Sequence, residues 1–387
     1  MIPISRPQID RREIEAVEAV LKSGRLAQGP KVQEFEERFA DYVGARFGVA
    51  CGNGTQALML ALLAHDVGPG DEVITTPFTF VATASAVMMC GARPVFVDVE
   101  EETGNLDTQQ ARSAIVRQLP RHKAVIPVHL YGHPCNAGQL WAMMHSTEYP
   151  CQTRPVWEDG IVIYDACQAH GAGTFLPVGG LGNHVVQRWH KIGQLGTSCF
   201  SFYATKNLTC GEGGMVTTND ADMADYLRAR RNHGQLEHYH YTELGYNFRM
   251  TEIQAAIGLV QLEKLPEMQA ARQANAEYLT ANLEGVITPV VKPGCVHAWH
   301  QYTIRVPGGR EKRDALQAHL TEQGIGTGVY YPLPLHLQPV FAHLGYKIGD
   351  FPIAEKLSGE VLSLPVHPGL SSEDLEKITE AVNEWTN

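Results

Sequence analysis

Apolar residues recur at three- and four-residue intervals over Arg11–Ser23 and Pro30–Val43, where Val32, Phe35, Phe39 and Tyr42 fall on one helical face. The Gly-containing turn SGRLAQGP separates the two. From residue 47 the rhythm changes. Short β-branched runs alternate with helical stretches: FGVAC (47–51) then 55–64, EVITT (72–76) then 79–90, PVFVDV (94–99) then 107–117, AVIPVHL (124–130) then 139–145. IVIYDA (161–166) leads into a long irregular segment, and a further β-like run covers 199–203. Strands alternating with crossover-length helices predict an α/β fold with a mostly parallel sheet covered on both faces. After about residue 214 the alternation stops. Helical stretches over 220–231 and 250–283, a strand at QYTIRV (301–306) and a helix over 310–323 predict a second, smaller α+β domain. The expected division is 1–262, a large α/β domain with N-terminal helices, and 263–387.

Composition narrows the function classes. At 387 residues the chain can bury a large core, and 44% hydrophobic with 19% charged residues is ordinary globular usage. No apolar stretch approaches a membrane span and no signal-peptide order opens the chain, so a cytoplasmic protein with no membrane partner is expected. The formal net charge is -11 and no basic block occurs, which argues against nucleic-acid binding. The 8 cysteines form no CxxC pair and the 17 histidines no HExxH motif, so no metal is expected.

In such sheets ligands bind beyond the carboxyl ends of the strands. Lys206, in SFYATKNLTCGEGG, follows a β-like run among Phe202, Tyr203 and Leu208; partial desolvation there would lower its pKa and free the amine for Schiff-base chemistry. A solvated surface lysine is the plain alternative. Asp165 ends the run 161–164, where a carboxylate needs a cationic partner such as a protonated pyridine nitrogen, or serves as a helix N-cap. Gln168 could reach the same ligand. Gly54, Thr55 and Gln56 open an apolar helix whose free N–H groups suit a phosphate, or form an ordinary cap. Ser201 could add a hydroxyl or rest as a core serine. Phe80 could lie on a planar ring or pack in the core. Jointly these meet the binding needs of pyridoxal 5'-phosphate.

The segments GPKVQEFEERFADYVG, NGTQAL, GDEVITTPFTFVATASAV, DACQAHGA, CFSFYATKNLTCGEGGMV and GYNFRMTEIQAAIGLVQLEKL resemble the sugar aminotransferases of the DegT/DnrJ/EryC1/StrS family. The resemblance implies the type I fold of pyridoxal-phosphate enzymes and a catalytic Lys206 bonded to the cofactor, with Asp165 on its ring nitrogen. It places Gln168 near the ring hydroxyl, Phe80 on the ring, and Gly54, Thr55, Gln56 and Ser201 on the phosphate. Asn247, otherwise a turn residue, is implied to reach the phosphate from the neighbouring subunit of a homodimer. The family's dehydratase branch carries His at the lysine position; Lys206 implies transamination instead, from L-glutamate to a keto sugar on a nucleoside diphosphate. Segments 145–159 and 179–196 look longer than in typical members. Arg188, His190 and Lys191 within the second are expected either to bind the substrate diphosphate or to form a solvated excursion. Tyr330 stands where many relatives carry His and, with His336, is expected near the sugar, a 3-keto position being favoured over a 4-keto one.

Three other readings stand beside this one. An aminocyclitol is the alternative acceptor. A non-catalytic regulatory protein would be marked by loss of Lys206 or Asp165, and neither is lost. An amino-acid aminotransferase would need an arginine for the α-carboxylate, for which Arg249 and Arg305 are candidates.

Overall fold

The computed structural model describes residues 1–118, 122–145, 160–177, 187–194 and 196–386. The stretches 146–159 and 178–186, which cover most of the first segment noted above and the first half of the second, lie outside the described residues. Among the described residues nine strands precede residue 219: β1 Phe47–Cys51, β2 Glu72–Thr75, β3 Arg93–Phe96, β4 His122–Val125, β5 Ile161–Asp165, β6 Gly173–Pro177, β7 Gln187–Lys191, β8 Thr197–Ser201 and β9 Gly214–Thr218. Seven form one sheet in the order β1-β9-β8-β5-β4-β2-β3. The neighbours from β3 to β8 are all parallel, and β9 runs antiparallel to both β8 and β1. Every strand of this sheet except β9 therefore ends at the same edge.

Helices α1 (Arg11–Ser23) and α2 (Pro30–Val43) precede the sheet; α3 (Gly54–Ala64), α4 (Ala82–Met89), α5 (Thr108–Gln118) and α6 (Ala137–His145) connect its strands, and α7 (Ala221–Arg231) follows it. The alternation of side chains along each strand divides the sheet between two cores. Val49, Cys51, Ile163, Cys199 and Val216 face α3, α4 and α7. Their neighbours Ala50, Phe200 and Met215 face α2 and α8 (Glu252–Asn282), while Val162 and Tyr164 face α5 and α6. Both faces are covered, which is why the strands read as nearly continuous apolar runs.

Two features depart from the sequence expectation. GMVTT, which showed no strand signal beside its glycine-rich turn, is the antiparallel β9. The segment after β5 is a β6–β7 antiparallel hairpin with Gly173 opposite Lys191, extended by Cys295–Val296 along β6. The long helix α8 starts at a capping box, Thr251 with Gln254, and continues with Pro266 in its interior. It runs unbroken through residue 262, where the domain division was expected. Leu259, Leu262 and Leu265 pack into the core of the first region and Ala276 and Leu279 into that of the second. The remaining chain holds α9 (Arg310–Glu322), α10 (Pro352–Glu360), α11 (Ser372–Thr386) and a pair of antiparallel strands, Tyr302–Arg305 with Val361–Leu364. Among the described residues no helix is long and apolar enough to cross a membrane.

Candidate active site

The turn after β1 brings α3 against the end of β8. Asn53, extended and just outside the helix, caps it by accepting the Gln56 N–H at 2.9 Å. The Gln56 side-chain oxygen in turn accepts the Gly52 N–H at 2.9 Å. Of the groups expected to meet a phosphate, the Gln56 amide is thus committed within the loop. The N–H groups of Gly54 and Thr55 make no hydrogen bond among the described residues. A Cβ on Gly54 would stand 2.8 Å from Ser201 Cβ and 3.1 Å from Cys167 Sγ, so glycine is what lets this helix end close on β8. The opposite wall is equally tight: a Cβ on Gly214 would lie 2.2 Å from the Asn53 carbonyl oxygen. Gly54, Thr55 and Ser201 therefore form one cradle at the carboxyl edge of the sheet.

Asp165 closes β5 two strands away from β9 and is only 6% exposed. Its two carboxylate oxygens accept from Thr83 Oγ1 at 2.8 Å and from the Cys167 N–H at 3.2 Å. A buried carboxylate held this way is an oriented acceptor rather than a helix cap. Gln168 is fixed by the Tyr131 N–H, which donates to its Oε1 at 2.6 Å, and its Nε2 donates to the Tyr331 hydroxyl at 3.3 Å. Phe80 is 56% exposed, far from the core role it could have played, and its ring leans toward Tyr331 with centroids 6.3 Å apart. The wall opposite β5 is thus aromatic and belongs to the C-terminal region.

Lys206 sits five residues beyond the end of β8. Burial holds its ammonium below the ordinary lysine value, against the opposing attraction of Asp165. Its Nζ lies 3.5 Å from His300 Nε2. The surface-lysine alternative does not describe this residue. Asn247 is exposed, and its side chain makes no hydrogen bond among the described residues.

Other expected residues are placed elsewhere. Lys191, on β7, donates to the Tyr42 carbonyl at 2.7 Å and lies over the Tyr42 ring, so its charge is spent on the end of α2. His190 bonds Gln194 at 3.1 Å, and Arg188 is exposed on the same hairpin. No described hydrogen bond joins any of the three to the cluster. His336 is 1% exposed and bonded to Glu355 at 3.0 Å beneath Phe351, so it offers no surface to a sugar. Tyr330 does reach the wall of the site: its carbonyl accepts from the Tyr131 hydroxyl. Arg305 is paired with Glu360 and Glu101, and Arg249 donates to Asn232 at 2.7 Å.

Sequence reasoning missed Thr83, Tyr131, Tyr331 and His300. Thr83 is read most simply as one of several small residues in an apolar helix, and the other three meet the site only through long-range contacts. The Asn53 cap was missed as well, although Asn before Gly-Thr at a helix start is a strong cap signal.

A cradle at a helix start, a buried carboxylate, an open aromatic and a desolvated lysine meet at one sheet edge, an arrangement that suits a pyridoxal-phosphate-dependent transferase of the type I fold. The sequence narrows this further. The model of the DegT/DnrJ/EryC1/StrS aminotransferase family matches residues 7–383, and the chain belongs to that family. It is similar to the pleiotropic regulatory protein of Geobacillus stearothermophilus, 42% identical over 98% of this chain and 95% of the relative. It is also similar to the UDP-2-acetamido-2-deoxy-3-oxo-D-glucuronate aminotransferase of Pseudomonas aeruginosa, 38% identical over 95% and 94%. Among solved structures, the PMP form of the putative sugar aminotransferase Spr1654 from Streptococcus pneumoniae superimposes with a TM-score of 0.88 at 28% identity, covering 100% and 97%.

Proposed function

We propose that the protein transfers the amino group of L-glutamate to a keto sugar carried on a nucleoside diphosphate, with pyridoxal 5'-phosphate as cofactor and a 3-keto position favoured. The observation that carries the proposal is the meeting of Lys206, Asp165 and the Gly54–Ser201 cradle at one sheet edge. The 3-oxo sugar named in the Pseudomonas relative supports the keto position.

The residues fit the cofactor. The free Gly54 and Thr55 amides with the Thr55 and Ser201 hydroxyls would hold its phosphate, where the start of α3 adds a favourable dipole. Phe80 would cover its ring, Gln168 would meet the ring hydroxyl, and Asp165 Oδ would accept from the ring nitrogen. When bound, pyridoxal phosphate supplies an aldehyde that takes up amino groups and a conjugated ring that spreads negative charge. Lys206 Nζ does the proton work: as a free base it removes a proton from the donor's amine-bearing carbon, and as an ammonium it returns one. Thr83 and the Cys167 amide keep the carboxylate of Asp165 aimed during both steps. Tyr330 and Tyr331 form the sugar-side wall. Asn247 of the partner subunit would complete the phosphate site in a homodimer.

A regulatory reading draws only on the names of relatives such as the Geobacillus protein, whereas intact Lys206 and Asp165 support catalysis. The test is incubation of the purified protein with pyridoxal phosphate, glutamate and a panel of nucleoside-diphosphate 3-keto and 4-keto sugars and keto-inositols, read by mass spectrometry. Amination of a nucleotide sugar is expected. Amination of keto-inositols alone would move the assignment to aminocyclitols, and no amination of any acceptor would favour regulation.

A further inference from the structure

His300 lies in a stretch, AWHQYT, that carries no recognisable motif, yet the residue is only 8% exposed and points Nε2 at Lys206 Nζ from 3.5 Å. That spacing is at the long limit of a hydrogen bond, as is common for reacting groups before a ligand tightens them. The other ring nitrogen, Nδ1, is buried and has no partner among the described residues. The surroundings are basic. Arg272 donates to the Trp299 carbonyl at 3.0 Å, His297 accepts the Trp299 N–H on its Nδ1 at 2.8 Å, and His170 is enclosed by Phe39, Phe200 and Phe202. Burial, together with Lys206, Arg272, His170 and His297, holds His300 well below the ordinary histidine value. The titratable and charged groups that act on Lys206 itself are the Cys167 thiol and Asp165.

These facts fix the state of the ring. Buried and beside the Arg272 guanidinium, the imidazole is neutral and carries one proton. A buried N–H without an acceptor is costlier than a buried lone pair without a donor, so the proton belongs on Nε2, the nitrogen that has a partner. An Nε2–H facing an amine can only donate to it. It therefore favours the neutral amine of Lys206 over the ammonium, which has no lone pair to offer.

We infer that His300 is a positioning residue for Lys206, donating from Nε2 to its Nζ and holding that amine in place as a free base whenever it is not covalently engaged. The inference rests on Lys206 being the reactive amine of the proposed aminotransferase. It assigns His300 a task that burial alone does not perform. A desolvated lysine could otherwise swing into any nearby pocket, and an ammonium would be inert as nucleophile and base.

The test uses the full chain without cofactor. Lys206 is labelled with an amine-reactive sulfonate across pH 6 to 10 and quantified by peptide mass spectrometry in wild type, His300→Phe and His300→Gln. Wild-type Lys206 is expected to label faster than surface lysines at neutral pH. In His300→Phe that rate at pH 7.5 should fall about three- to tenfold as the amine's midpoint rises by about half to one unit. His300→Gln, whose amide can still donate, should stay within about twofold of wild type. Nitrogen NMR of wild-type His300 provides a readout that needs no variant to fold, and a neutral ring with Nε2–H is expected from pH 6 to 8. An unchanged profile in His300→Phe beside fast wild-type labelling, or an Nδ1–H or charged ring, would overturn this inference alone. Wild-type Lys206 labelling no faster than a surface lysine would contradict both the inference and the function it rests on.

Discussion

At the scale of single residues, the cradle is decided by what is missing from Gly54. Its hydrogen is all that fits beside Ser201, and a methyl group there must push β8 or the start of α3 out of line. Gly54→Ala is therefore expected to leave the fold intact and weaken pyridoxal-phosphate binding about tenfold or more, a loss of ~1.4 kcal/mol, measured by fluorescence titration. Equal affinity in the variant would show that the α3 end does not hold the phosphate. The same scale separates what the sequence could and could not disclose. Lys206, Asp165 and Gly54 were visible because each follows an apolar run at the edge where such sheets bind ligands. Thr83, Tyr331 and His300 were not, because their roles arise from packing between residues 82 to 163 positions apart in the chain. Lys191 and His336 show that a charge or imidazole carries no direction in the sequence until its partner, Tyr42 or Glu355, is seen.

Among the elements, the outer edge of the sheet poses a problem that two side chains solve. β1 has β9 on one side only, and unpaired strand groups invite association with other chains. Glu36 of α2 accepts the Ala50 N–H at 2.8 Å, Arg231 of α7 donates to the Ala50 carbonyl at 2.6 Å, and the two side chains are themselves ion-paired. Both are almost wholly buried. Arg231→Ala would leave a buried carboxylate with no counter-charge, so a loss of about 3–5 kcal/mol and a clear fall in thermal midpoint are expected. A calorimetric scan within a degree of wild type would contradict this account of the edge. The pairing also explains an error of reading at this scale. The alternation that disclosed β1 to β5 says nothing of β9 or of the β6–β7 hairpin, because these strands are no shorter but are not followed by the crossover helices that set the rhythm of the parallel ones. Likewise α8 gave no sign that one continuous helix serves both regions, because its apolar positions continue past Pro266 and simply change partners.

Over the whole molecule the notable electrostatic feature is buried histidine. Of 17 histidines, His65, His122, His129, His133, His170, His297, His300, His336 and His367 are all held below their ordinary value, burial being the first cause in each. For His65 the value falls to about 4, and for His129 and His170 to about 3. Below pH 6.5 the unfolded chain binds protons that the folded chain refuses, so stability present above that pH is lost as pH falls toward the folded values. Each such group contributes a slope of up to about 1.4 kcal/mol per pH unit in that window. The thermal midpoint should therefore drop steeply between pH 6.5 and about 4, before most carboxylates titrate. A flat midpoint over that range would mean that the histidines are solvated.

Whether one sheet edge holds pyridoxal phosphate over Lys206 and uses it to take the amino group of glutamate is decided by a single measurement. The absorbance spectrum of the protein loaded with pyridoxal phosphate is recorded before and after adding L-glutamate, with Lys206→Ala as control. A visible band that glutamate bleaches with release of 2-oxoglutarate is expected, with no catalytic bleaching in the variant. No visible band on loading, or a band that glutamate leaves unchanged, would contradict the proposed function.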